Sequence, residues 1–136
     1  MKYLSATVLG FLLLAFWHAA HAALPPAIAV EEINYLLDFI DRSGCQFYRN
    51  GRWYDAHRAK AHLRNKYDYL VAHDRVRTAE DFIEEAATKS GTSGKEYQIR
   101  CEGSSAVASS SWLGSALSAY RASAIQGTLP KASPTR

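Results

Sequence analysis

Between Val30 and Asp41 the apolar residues Ile33, Leu36, Leu37 and Ile40 recur at i, i+3, i+4 and i+7, the single stripe of an amphipathic helix. Glu31 and Glu32 fall in the first turn of that helix, where the positive end of the dipole favours acids. Ser43-Gly44 ends it, with Gly44 at the left-handed position after the last turn. The period then changes from 3.6 to 2. In CQFYRNGRWYD, Cys45 to Asp55, the residues alternate on both sides of Asn50-Gly51. That pair is the strongest short signal for a type I′ hairpin turn, which needs positive φ at both central residues. The stretch therefore predicts two short strands with aromatic residues facing one another across them.

Helical spacing returns after the hairpin. Asp55 is placed to cap a helix over about Ala56 to Ala72, whose buried stripe is Ala56, Ala59, Leu63, Tyr67 and Leu70. Thr78 and Asp81 form an acidic variant of the capping box and start a third helix, with Phe82, Ile83 and Ala86 inward. Ser90 to Gly94 is a loop. Glu96 to Cys101 alternates, with Tyr97, Ile99 and Cys101 on one face, and predicts a strand. Ser110 or Ser111 then caps a last helix, about Trp112 to Ala122, carried by Trp112, Leu113, Ala116, Leu117 and Tyr120. The order α-β-β-α-α-β-α predicts an α+β domain over residues 23–125. Its small antiparallel sheet consists of the hairpin plus one later strand, packed with about four helices. Residues 126–136 have the Pro, Ser and Lys composition of a disordered tail.

The N-terminus changes the compartment expected for this domain. Lys2 precedes an apolar run from Tyr3 to Trp17, and Ala20-His21-Ala22 has the small residues that signal peptidase accepts. Residues 1–22 thus read as a secretory signal peptide. A membrane anchor is the alternative, but the run falls short of the ~20 apolar residues a spanning helix needs. The expected location is periplasmic or secreted, with no membrane span after cleavage. In that setting Cys45 and Cys101, the only cysteines, form a single disulfide. They lack the C-x-x-C spacing of a redox pair, and with so few histidines they make no zinc site. No metal or other cofactor is expected.

Charge adds a mild asymmetry. Without Lys2, fifteen basic residues face thirteen acidic ones, which leaves +2, too mild to imply nucleic acid as an obligate partner, and no nucleic acid is expected. The segment from Arg42 to Arg77 nonetheless holds nine basic residues against three acidic ones. Either acidic helices dock beside it, or it offers a basic face to an anionic partner.

Catalytic motifs are weak. Ser90-Gly91-Thr92-Ser93-Gly94-Lys95 lacks the four-residue Walker spacing and precedes a strand, so it is no phosphate loop. His62 can act as a base near neutral pH, with Ser90 or Ser93 as nucleophile, but no G-x-S-x-G elbow accompanies it. A plainer account has His62 bonded to a backbone carbonyl. The best binding cluster is Arg49, Asn50, Arg52, His62 and Lys66, which converge if the hairpin folds onto the second helix. Arginines beside aromatics suit carboxylates, phosphates or sugars. The competing account pairs Arg49 with Asp55 or Asp38 and reserves Asn50 for the turn.

An ordered set of these residues resembles the YfeK-like family of small exported bacterial proteins of unknown function. The set is Ile33, Leu36, Leu37 and Ile40; Cys45-x-Phe47-x-Arg49-Asn50-Gly51; Ala61-His62-Leu63-x-x-Lys66; Phe82-Ile83; Ser90-x-x-Ser93-Gly94-x-x-Tyr97-x-Ile99-x-Cys101; and Trp112-Leu113. The resemblance implies one domain and a Cys45–Cys101 bond, and brings no reaction or ligand with it. The function expected is a non-enzymatic exported module that binds a protein or an anionic envelope polymer through a basic and aromatic surface. A small periplasmic hydrolase using His62 with a serine of the 90–93 loop is the alternative. A third candidate is an inhibitor or chaperone-like partner of an exported enzyme.

Overall fold

The computed structural model describes residues 23–128. The expected signal peptide and residues 129–136 of the expected tail lie outside them. Helix α1 spans Ala27–Arg42 and buries Ile33, Leu36, Leu37 and Ile40 completely. It begins three residues before Val30 because Pro26 stands at its N-cap, where a fixed φ and a missing N–H cost a helix nothing. Glu31 and Glu32 therefore leave the first turn, and the expected dipole role falls away. Glu32 is instead buried. Ser43 closes the helix through both its N–H (3.1 Å) and its hydroxyl (2.7 Å) on the Ile40 carbonyl, and Gly44 follows at φ 64°.

Strands β1, Gln46–Arg49, and β2, Arg52–Tyr54, pair antiparallel around Asn50 (φ 50°) and Gly51 (φ 88°), as the type I′ turn requires. Asp55 caps α2, Ala56–Ala72, by accepting the Arg58 N–H at 2.8 Å, and the predicted stripe is the buried one. Thr78 and Asp81 complete the capping box of α3, Ala79–Asp81. This turn runs directly into a π-helical segment, Phe82–Ala87, that buries Phe82, Ile83, Ala86 and Ala87.

Strand β3, Gln98–Arg100, pairs with β1 in the register Phe47↔Ile99. Two steps further along, past the pair Gln46↔Arg100, Cys45 and Cys101 are bonded, with α-carbons 4.2 Å apart. The sheet has a fourth strand that the sequence did not announce. It is β4, Val107–Ala108, which joins β3 to give the order β2-β1-β3-β4. Two residues within a serine-rich segment carry no alternation to read. Helix α4, Ser109–Thr128, follows without a loop, so it starts before Trp112 and continues past Gly127.

Phe47, Tyr97 and Ile99 face inward onto the helices, and Trp112 of α4 packs between Phe39 (4.5 Å) and Phe47 (5.9 Å between ring centroids). The opposite face of the sheet carries Tyr48 beside Trp53, with the Arg100 guanidinium 4.1 Å over the Trp53 ring and bonded to Gln46. No described helix is long and apolar enough to cross a membrane.

Candidate functional site

The hairpin does fold onto α2, and it brings part of the predicted cluster together. Strand alternation puts Arg49 on the inward face of β1 with Phe47. From there its Nη1 reaches His62 of α2, 3.0 Å from Nδ1 and 3.4 Å from Nε2. An arginine only donates, so the nearer ring nitrogen, Nδ1, accepts, and the network places the ring proton on Nε2 facing the Tyr97 hydroxyl at 3.2 Å. The Arg49 guanidinium also stands 5.2 Å over the Tyr54 ring. The carboxylates named as its competing partners are engaged elsewhere. Asp38 takes Lys60 at 2.8 Å, and Asp55 caps α2.

The other predicted residues divide. Asn50 latches the hairpin tip to the 90–94 loop, donating to Ser90 Oγ (3.3 Å) and accepting from Ser93 Oγ (2.5 Å). Lys66 lies one turn beyond His62 but donates to the carbonyls of Ala86 (3.0 Å) and Lys89 (2.8 Å). It thereby satisfies the end of the π-helical segment, where a cation also suits the dipole. Both residues are committed to holding the fold. The Arg52 side chain is exposed and makes no hydrogen bond or ion pair with the described residues.

Three further residues belong to the site: Tyr54, Arg58 and Tyr97. With Arg49 and His62 they line a half-open cavity of ≈ 40 Å³ whose other walls include Phe47, Ala59 and Leu63. Arg58, four residues before His62, was within reach of a helical-face argument, and Tyr97 already lay on the inward strand face. The expected contact of hairpin with helix did not by itself show that Tyr54, Arg58 and Tyr97 close around Arg49 and His62.

Charge in the notch is one-sided. Burial, with Arg49 and Lys66 nearby, holds the His62 imidazole below its usual pKa. Burial pushes the Tyr97 phenol up. At neutral pH the site is therefore a neutral imidazole, a neutral phenol and a guanidinium without a counter-ion among the described residues. His62 bonds to Arg49 and Tyr97, and no hydrogen bond joins it to Ser90 or Ser93, so the base–nucleophile contact of a hydrolase is not formed. Among the described residues no three His, Cys, Asp or Glu side chains are grouped to hold a metal ion.

The depressed pKa makes a stability prediction. The unfolded chain protonates this histidine near pH 6.5. The folded protein resists protonation, so relative stability falls as pH drops below about 6.5, and the loss is complete below the folded pKa. His62→Gln keeps an acceptor for Arg49 and a donor for Tyr97 without a titration. Denaturant midpoints at pH 7.5 and 5.0 are expected to fall further apart in the wild type than in this variant; equal differences would contradict the assignment.

Fold and site together define a small α+β domain, stapled by one disulfide, with a cation that no carboxylate among the described residues pairs, in a notch between hairpin and helix. The chain belongs to a family of unknown function (DUF5329), whose model matches residues 28–121, from the first turn of α1 to Arg121 of α4. No curated protein and no solved structure matches it.

Proposed function

We propose that this protein is a non-enzymatic module of the periplasm or the secreted fraction, in keeping with its likeness to the YfeK-like exported proteins. On this reading it holds a protein or an anionic polymer of the cell envelope through the basic and aromatic tip of its hairpin. Arg49 carries this reading: it is half-buried, fixed by His62 and Tyr54, and has no carboxylate partner among the described residues. A guanidinium kept in that state costs desolvation, which a bound anion recovers. Arg52, opposite Arg49 in the hairpin register, adds attraction over roughly a Debye length, about 8 Å at physiological salt, while Arg58 in the cavity wall is paired with Asp55 at 3.7 Å. The disulfide agrees with an oxidising compartment.

The test changes Arg49 and Arg52 together to Gln and measures retention on a washed cell-envelope fraction. Retention is expected to fall at least tenfold and to be salt-sensitive in the wild type, while the melting temperature moves by only a few degrees. Unchanged retention, or retention lost only in step with unfolding, would overturn the reading.

A further inference from the structure

The Arg49 guanidinium is held on two sides and open on a third. Nη1 is engaged by His62, and the plane is positioned over Tyr54. Nε and Nη2 make no hydrogen bond with the described residues. Nε and Nη2 form the parallel donor pair that a carboxylate accepts bidentately, and here it is fixed in place and unused. The adjoining cavity limits what can use it. It measures ≈ 40 Å³. A single water needs about 10–15 Å³ on the same kind of measure, so the space takes about three groups of that size. Two carboxylate oxygens and one methyl are about three such groups, whereas a phosphate or sulfate turns its further oxygens toward the walls. The remaining walls include Phe47, Ala59, Leu63 and the rings of Tyr54 and Tyr97, with Tyr48, Arg58 and Ser109 beside them, and are mostly apolar. They accept a short apolar neighbour and offer little to a sugar hydroxyl.

We propose that the notch beneath Arg49 binds a chain-terminal carboxylate whose adjoining side chain is no larger than methyl, as at the end of a peptide that finishes in alanine. This rests on the anionic-partner reading above and narrows it to one chemical group. The carboxylate takes the free fork of Arg49, the methyl-sized group lies against Phe47 and Tyr54, and the rest of the chain leaves past Arg52 and Arg58.

Calorimetric titration of the whole mature protein with N-acetylalanine, N-acetylalanine amide and inorganic phosphate tests it. N-acetylalanine is expected to bind with Kd of about 1 mM at low salt, a normal strength for so small a ligand. The amide and phosphate are expected to bind at least tenfold more weakly. Arg49→Lys, which replaces a fork by a point charge, is expected to lose about tenfold. Ala59→Leu fills the cavity and leaves Arg49 in place; it should abolish binding, and it keeps the test open if the Arg49 variant folds poorly. Equal binding of acid and amide, phosphate as tight as N-acetylalanine, no binding of N-acetylalanine, or full binding by Ala59→Leu would each overturn the proposal. If envelope retention still depends on Arg49 and Arg52 in that event, the broader reading stands and only the carboxylate assignment fails.

Discussion

Replacing Cys45 and Cys101 together by Ala is expected to lower the melting temperature by about 15–25 °C. The bond closes a loop across a sequence separation of 56. Chain-entropy reasoning assigns a loop of that length about 4 kcal/mol. For a domain of this size each kcal/mol moves the midpoint by about 4–8 °C, and a typical domain has only ~5–15 kcal/mol in all. The location of the bond adds to its effect. It sits where β1 begins and β3 ends, one step past the pair Gln46↔Arg100, and so fastens the two central strands of the sheet. These strands are distant in sequence, and α2, α3 and the π-helical segment are threaded between them. Without the crosslink the unfolded chain regains that freedom, while the folded packing of Phe47 on Ile99 is unchanged. Thermal melts of oxidised wild type, reduced wild type and the double variant should place the last two together and well below the first. A shift under about 4 °C would show that the hydrophobic core alone fixes the fold.

The second large effect is at Arg121. This residue of α4 grips Glu32 of α1 through Nε (2.6 Å) and Nη2 (2.8 Å), and Glu80 of α3 through Nη1 (2.5 Å) and Nη2 (3.2 Å). The hydrogen bonds to both carboxylates hold the guanidinium firmly protonated, and Arg121 in turn keeps Glu80 below the usual carboxylate range. The three partners are not equally buried. The Glu32 side chain is 7% exposed, those of Arg121 and Glu80 43% and 58%. Arg121→Leu therefore strands a carboxylate in the interior and is expected to cost about 2–4 kcal/mol, the lower part of the range for breaking a buried pair because Arg121 itself is partly solvated. Glu32→Met removes the buried charge and leaves Arg121 with Glu80 and water, at about 1 kcal/mol or less. Urea unfolding of the two single variants should show this asymmetry; equal costs would mean that Glu32 is not effectively desolvated.

The local signals of the sequence were faithful to the fold where one or two residues decide the geometry. Asn50-Gly51 set the turn, Asp55 and Thr78 set helix starts, and the stripe from Ala56 to Leu70 is the face α2 buries. Features that depend on distant partners were not legible. The role of Glu32 depends on Arg121, far along the chain, and the role of Lys66 on carbonyls of a segment whose π-helical winding no periodicity predicts. Strand β4 exists because β3 offers a free edge to two residues that have no pattern of their own. At the site, the residue types were right and their allegiance was not. Asn50 and Lys66 have the chemistry of ligand donors, but buried backbone and hydroxyl groups had first claim on them. Arg49 was left over among the described residues because Asp38 serves Lys60 and Asp55 serves a helix end. Electrostatic competition of this kind is settled by distances, which composition does not contain.

The most direct measurement is the ¹⁵N side-chain NMR signal of Arg49 Nε during titration with acetate at constant ionic strength. The account predicts a saturable shift at Arg49, absent in Ala59→Leu, while Arg64 and Arg100, already bonded to Asn34 and Gln46, stay in place. A flat Arg49 signal, or the same small drift at all three arginines, would contradict it.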